Sequence, residues 1–434
     1  MFGYYLELAL RGLQRNVPLT ALMIAAIGAG VGASVTALTA LRALSADPIP
    51  AKSSRLFSVR IDNWGPHTPN NAESHEQIAY QDAVSLLRAR RAVRQSPMYA
   101  VTFSVVPKTG DAAPFTVMGR AVTSDFFQMF TAPIAAGAPW SRADDAAGAN
   151  VVVIGAKLAA RLYPRGDAVG QIVTLGDQPY RIVGVLKSWH FQPRVYDLSS
   201  RIFQETEDVF LPFTAAINRH LWSMGGVSCI QPLTPAWDSR LASECRWLQY
   251  WAELPDATAV RNYRDDLVSY SQEQRRLGRF HWEPSVELLD VNQTLRAANM
   301  TPSGMRVSTI AAFGFLLVCL VNATGLMLAK LTGRVAEFSV RRALGASKAQ
   351  IFTQCLADAA LVGVAGGVVG VVLTLLGLAF ERALLREDYA RMIAVDVSGV
   401  IDALGLALLA MAVAAVYPAW SASRLQPAWK LRSE

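Results

Sequence analysis

Charge is scarce in this chain. Of its 434 residues only 17% are Asp, Glu, Lys or Arg, whereas 52% are hydrophobic. That balance excludes an ordinary soluble globule, and the length allows two or three domains. Histidine is scarcer still, and His67, His75, His190, His220 and His281 show no metal-ligand spacing such as H-E-x-x-H. There is no G-x-x-x-x-G-K-[ST] phosphate loop and no G-x-S-x-G elbow, so these residues supply no catalytic group, no metal site and no bound cofactor. The neighbouring carboxylates Glu207 and Asp208 lie in a stretch that reads as solvent-facing rather than as acid–base machinery. The net charge of +7 would suit nucleic acid only on a basic patch of a folded face. Here Lys and Arg gather beside long apolar runs, which excludes nucleic acid as the expected partner.

Those runs are Asn16 to Leu41, Val307 to Ala329, Ala359 to Phe380 and Ala403 to Ser423, each without a charge. A hydrocarbon core needs ~20 helical residues to cross and leaves the backbone no partner but itself. Four membrane helices are therefore expected, at 17–43, 306–330, 357–380 and 403–423. The absence of mid-membrane charge disfavours an ion-coupled carrier. Lys330, Arg334, Arg341, Arg342 and Lys348 flank the second and third runs, whereas Glu381, Glu387, Asp388, Asp396 and Asp402 face three arginines between the third and fourth. The positive-inside rule then places both termini (1–16, an amphipathic helix, and 424–434) and the 331–356 loop in the cytoplasm. Residues 44–305 and the short loop 381–402 fall outside. The first run is too long for a signal-peptide core, so it is expected to be retained.

The outer segment reads as mixed α/β. Arg55 to Ile61, Val101 to Pro107 and Phe115 to Val122 are strand-like, and Gln77 to Val93 is expected to be helical with Ala79, Ala83, Leu86 and Leu87 on one side. Asn150 to Ile154 (strand), Ala156 to Tyr163 (helix) and a hairpin about Gly176-Asp177-Gln178 form a compact unit punctuated by glycines. Residues 214–283 hold Trp222, Trp237, Trp247, Trp251 and Trp282 without a clean period, and helix and loop are expected there. The tryptophans fit a core or a partner surface. Cys229 and Cys245 share the outer segment and would bridge in an oxidising compartment if the fold brings them together, for roughly 3 kcal/mol. Cys319 and Cys355 read as small apolar residues of the membrane helices.

Gly28 and Gly32 in the first run, and Gly363, Gly366, Gly367 and Gly370 in the third, are expected to let helices approach closely. Between the second and third runs, Ala336 to Leu344 is expected to be a short helix ended by Gly345, and Ser347 with Gln350 forms a capping box for the next. A short basic helix of this kind suits docking into a soluble partner. It equally suits lying on anionic lipid.

The run Glu337-Phe-Ser-Val-Arg-Arg-Ala-Leu-Gly-Ala346 and the closing Tyr417-Pro-Ala-Trp-Ser-Ala-Ser-Arg-Leu-Gln-Pro427 resemble the FtsX-like permease domain of MacB-type ABC transporters. Val117-Met-Gly-Arg-Ala-Val-Thr-Ser-Asp-Phe-Phe127, Val151-Val-Val-Ile-Gly155, Asp167-Ala-Val-Gly-Gln171 and Ile182-Val-Gly-Val185 are similar to the MacB periplasmic core. The resemblance implies an inner-membrane protein with four transmembrane helices and a periplasmic domain at 44–305, porter-like with an inserted α/β subdomain at about 118–212. It implies a permease dimer, homo- or heteromeric, and ATPase coupling through Glu337, Phe338, Arg341, Arg342, Ala343, Leu344 and Gly345. It further implies export by mechanotransmission with a periplasmic adaptor and an outer-membrane channel.

The chain begins about sixteen residues before its first run, so by resemblance the ATPase, with its ATP and Mg, is expected on a partner chain. Gly137-Ala138 replaces the family's usual Gly-Arg, and the Trp-rich stretch matches no known motif of it. A lipoprotein-release permease and a non-transporting signalling scaffold are the alternative readings. They call respectively for a chaperone hook and for a smaller outer domain that binds a coiled coil. On the sequence alone, Arg341→Glu with Arg342→Glu is expected to abolish ATPase stimulation while leaving the chain inserted, as an ATPase assay of the purified complex would show.

Overall fold

The computed structural model describes residues 16–45, 47–65, 76–106, 113–164, 166–189, 191, 193–198, 206–230, 234–298, 303–384 and 397–424. The expected helix over 1–16, the loop at 385–396, the tail beyond 424 and His67, His75 and His190 lie outside them. The chain forms two compact units, residues 47–300 and the combination of 1–46 with 301–434.

The first helix, α1, spans Val17–Ser45. The 47–300 unit then begins with β1 (Leu56–Asp62), β2 (Ile78–Ala79), α2 (Tyr80–Ala89), β3 (Arg94–Val105) and β4 (Phe115–Val122). Next come α3 (Asp125–Met129), β5 (Ile134–Gly137), α4 (Arg142–Ala147), β6 (Val151–Gly155), α5 (Ala156–Leu162), β7 (Ile172–Leu175) and β8 (Gln178–Leu186). It closes with β9 (Val209–Pro212), α6 (Phe213–Asn218), α7 (Trp237–Ala242), β10 (Arg246–Glu253), α8 (Ala257–Arg276), β11 (Ser285–Asp290) and α9 (Val291–Ala297).

Among the described residues, the strands run β11-β1-β10-β3-β4-β9-β6-β8-β5 through one continuous sheet. Strand β3 is the member common to its two halves. Its first residues pair with β10 (Gln95↔Ala252) and its last with β4 (Phe103↔Val117). Strands β4 and β9 lie parallel and adjacent, and the chain between them supplies β5, β6 and β8 to the far edge of the sheet. The β7–β8 hairpin and the β6–α5 step fall where the turn glycines place them. Gly137 is held at φ 70°, and a Cβ there would stand 2.2 Å from the Val183 carbonyl oxygen, so only glycine fits.

Three expectations change. The helix at 77–93 is confined to Tyr80–Ala89, because Ile78 and Ala79 pair as strand with Leu248 and Arg246. Strand β3 starts at Arg94, earlier than Val101, since its polar opening residues are matched by Glu253 and Asp125 rather than by alternation. Most of all, β10 is a strand in a stretch expected to be helix and loop, and every one of its residues is buried. A strand covered on both faces loses the alternation that marks a half-buried one. Trp237, Trp247 and Trp251 are core residues: Trp247 meets Tyr99 edge-on at 5.0 Å and Trp251 meets Phe130 at 5.7 Å. Trp222 and Trp282 are about half exposed. Cys229 and Cys245 are disulfide-bonded, with Cα atoms 4.3 Å apart.

Glu207 is a further correction. It is buried to 2% exposure, and its Oε1 accepts from Arg120 Nε at 2.7 Å and Arg194 Nη1 at 2.9 Å. Tyr196 donates to its other oxygen at 3.0 Å. Arg120 is also bonded to Asp197, which in turn accepts from Gln249 of β10 at 3.2 Å. Burial pushes the Glu207 carboxyl up, but the two guanidinium groups outweigh it and hold it below the ordinary value of 4.5. A depressed carboxylate stabilises above its unfolded pKa and loses that contribution as pH falls through its folded one.

The chain ends in α10 (Ser303–Thr332), α11 (Val335–Ala343), α12 (Lys348–Leu384) and α13 (Val397–Ser423). Helices α1, α10, α12 and α13 are each long and apolar enough to cross a membrane, over Val17–Arg42, Met305–Thr332, Lys348–Phe380 and Gly399–Ser423. Thus the protein is an α-helical membrane protein with a mixed α/β domain.

Removing Glu207 takes from the buried Arg120 and Arg194 the carboxylate that they share. Glu207→Ala should cost about 3–5 kcal/mol and lower the unfolding midpoint by on the order of 10 °C, read by tryptophan fluorescence of the full chain in detergent.

Candidate functional site

Two features of the helical unit bear on function: the way α12 is gripped by its neighbours, and the short helix α11 that leads into it. Gly28 and Gly32 of α1 lie against Gly366 and Gly370 of α12. A Cβ on Gly28 would sit 2.6 Å from Val369 and 3.2 Å from the Gly366 oxygen, and one on Gly370 3.0 Å from Val31. Gly363 and Gly367, on a second stripe of α12, face α13 at Met411 and Leu404 with 3.1 and 3.0 Å. So α12 carries two interleaved G-x-x-x-G ridges, one for each neighbour. Gly30 instead faces Leu316 of α10. Hydroxyls add cross-helix bonds, Ser34 to the Ala312 oxygen at 3.1 Å and Thr374 to the Gly32 oxygen at 3.4 Å. Cys319 and Cys355 are free and buried.

Helix α11 starts two residues after α10 and is seated by charge. Arg334 donates to Asp358 of α12 at 2.6 Å and to both oxygens of Glu337 at 3.2 Å. Glu337 also meets Arg341 at 3.0 Å, and Arg341 donates to Gln354 of α12 at 3.0 Å. Acid in the first turn and base in the last both suit the helix dipole. Phe338, only 1% exposed, fills the contact beneath Arg334, whose guanidinium lies 5.3 Å from the ring centroid. Arg342 reaches the Ser423 oxygen at the end of α13.

The helix ends where Gly345 takes φ 99°, a backbone that side chains rarely adopt, and the amides of Gly345 and Ala346 bond back to Arg342 and Arg341. Ser347 and Gln350 then exchange bonds of 2.8 and 3.2 Å that start α12. The helix entered here continues unbroken to Leu384.

The seven residues expected to couple to an ATPase therefore divide by direction. Glu337, Phe338, Arg341 and Arg342 face back onto α12 and α13. Ala343, Leu344 and Gly345 are exposed, joined by Ala336 and Val340, with Leu344 at 83%. The outward face is apolar at the i, i+4, i+7, i+8 spacing of one helical stripe. This revises the picture of a basic docking face: replacing Arg341 and Arg342 together would disturb the seat of the helix before any partner met it. Asp358 and Gln354, which make that seat, were not singled out from the sequence, and Arg334 was read only as flanking charge. Their one signal was a lone acid at the entrance to an apolar run.

The profile of the MacB-like periplasmic core domain matches residues 20–269, and that of the FtsX-like permease C-terminal domain matches 309–427. The chain belongs to the MacB-like permease family. This MacB-like permease is 26% identical over 434 residues to the macrolide export ATP-binding/permease protein MacB of Azoarcus sp. (strain BH72), covering 98% of this chain and 59% of that protein. It is 28% identical over 310 residues to the pyoverdine export ATP-binding/permease protein PvdT of Pseudomonas entomophila (strain L48), covering 71% and 42%. The permease thus spans less than two thirds of the length of these relatives. The crystal structure of the periplasmic region of MacB from Actinobacillus actinomycetemcomitans overlays with a TM-score of 0.37 at 12% identity, covering 60% of this chain and 99% of that one.

Asp358→Ala should release α11 from α12 without unfolding the bundle. Hydrogen exchange of the amides from Phe338 to Leu344 should accelerate at least tenfold, with the spans' protection unchanged.

Proposed function

We propose that this permease is the membrane subunit of an ATP-driven transporter and that α11 is the surface through which a separate ATPase drives it. The observation that carries the proposal is the two-sided character of α11. One side is fixed to α12 by a buried ion pair, and the other presents Ala336, Val340, Ala343 and Leu344 to solvent. A push on a helix so fixed passes into α12, and the glycine ridges pass it on to α1 and α13. Lipid is the weaker occupant, because the arginines that would meet anionic headgroups are engaged with Glu337, Gln354 and Ser423.

In this reading the termini and α11 face the cytoplasm and residues 47–300 work in the periplasm as a porter-like domain with the 118–212 insertion. Two copies, identical or not, act together on ATP and Mg held by the ATPase. Export then proceeds by mechanical transmission, with an adaptor and an outer-membrane channel as further partners. Membership of the family and the polarity of the flanking charges support it.

The test is co-purification in nanodiscs with ABC ATPase subunits of the host. A complex with stimulated hydrolysis is expected, and Val340→Asp with Leu344→Asp should reduce the stimulation at least tenfold at unchanged yield and thermal midpoint. Stimulation that survives the double variant would overturn the docking assignment, and no stimulated ATPase would overturn transport itself.

A further inference from the structure

The 47–300 unit holds a cleft of about 730 Å³ bounded by α2, the start of β3, α4 and α6. Its size falls within the ~300–1,000 Å³ typical of small-molecule sites. Its walls are mixed, with an apolar strip on α2 and α6 beside polar and charged side chains from β3, α4 and their flanks. Tyr80 of α2 stacks on Phe213 of α6 across 6.4 Å at 25°, and Val84, Leu87 and Ile217 extend the same surface.

The charges in the cleft are unevenly engaged. Asp125 accepts from Arg142 Nε at 3.0 Å and Nη2 at 2.9 Å, and from the Gln95 amide at 3.2 Å. Asp145 accepts from Ser124 at 2.7 and 2.6 Å and from the Trp140 indole at 2.6 Å. Both acids are thereby engaged in holding α4 to α3 and its flanks, together with their one arginine, Arg142. Two cations at the rim, Arg88 and Arg90, are exposed and have no ion partner among the described residues. Arg90 also stands at φ 49°, a conformation that a helix end ordinarily gives to glycine or asparagine. A long cationic side chain thus stands at that position beside the cleft.

We infer that this cleft binds an amphipathic anion, a molecule with an aromatic or aliphatic body to lie against Tyr80, Val84 and Leu87 and a carboxylate, sulfonate or phosphate to meet Arg88 and Arg90. A small hydrated anion would leave most of the cavity unfilled and the α2 apolar strip uncovered. The rim excludes a cationic amphiphile, since the acids that could receive it are already engaged. The inference does not rest on the coupling reading, because binding is measured with no ATPase present.

The experiment compares two probes that share a fluorophore and differ in charge, dansylglycine and dansylcadaverine. Each is titrated by anisotropy against the full chain in nanodiscs, with empty nanodiscs as the blank. Saturable binding of dansylglycine is expected, at least tenfold tighter than dansylcadaverine. Arg88→Glu with Arg90→Glu, both at exposed positions, should abolish that preference. Val84→Trp should weaken both probes by narrowing the cleft. Equal affinity for the two probes, binding that neither variant alters, or a signal matched by the empty nanodiscs would each overturn the assignment.

Discussion

Arg120 is fully buried, and a guanidinium in that position must find its partners within the protein. Its Nε donates to Glu207 beside β9 and its Nη2 to Asp197 in the 193–198 loop, while the Tyr196 ring centroid lies 5.0 Å from it. Because Asp197 also accepts from Gln249, the network reaches from β4 to the interior strand β10. Isolated burial of such charges is costly, and close pairing with opposite charge offsets it. The halves of the sheet that meet at β3 are therefore fixed to each other by chemistry as well as by backbone pairing. Beside the network, Phe126, Phe130, Phe210 and Trp251 form an aromatic core that leaves little room for water to replace a lost partner.

The helical unit solves a similar problem at its charged end. Lys330, Arg334 and Asp358 are all buried, where the apolar runs give way to polar sequence. Lys330 donates to Thr20 of α1 at 3.2 Å, so α1, α10, α11 and α12 are joined at one level. Farther along the helices, contact depends on missing side chains instead. Glycine stripes bring backbone close to backbone, and dispersion acts over a longer seam.

What could be read from sequence follows from the range of the forces involved. The four spans were legible because hydrocarbon demands a long uninterrupted apolar run. The β6–α5–β7–β8 segment was legible because its turns are local and marked by glycine, and α11 because Gly345 and the Ser347–Gln350 box sit at its end. By contrast, Glu207 looked solvated because its neighbours in sequence are polar. Of its guanidinium partners Arg194 is 13 residues away and Arg120 is 87, and neither spacing follows a helix or strand repeat that would point to it. Strand β10 was hidden twice, by burial on both faces and by partners far along the chain. The Arg334–Asp358 pair spans 24 residues and the boundary between loop and apolar run. The rim of the cleft joins α2 to elements over a hundred residues further on, so no window of sequence displays it.

The position of β10 in the sheet also sets a timetable. Arg94 and Glu253, paired across β3 and β10, are separated by 159 residues. As the chain is made, β1 and β3 emerge with their main partner still unsynthesised, and the edges they would share with β10 stay open through all of that interval. Closing such distant pairs is slow, because the loop entropy is lost before the contacts form. Open strand edges meanwhile are what other chains aggregate upon. This protein therefore belongs with those whose maturation is governed by protection of an unfinished sheet, and its native state is reached only when one late, tryptophan-bearing strand arrives.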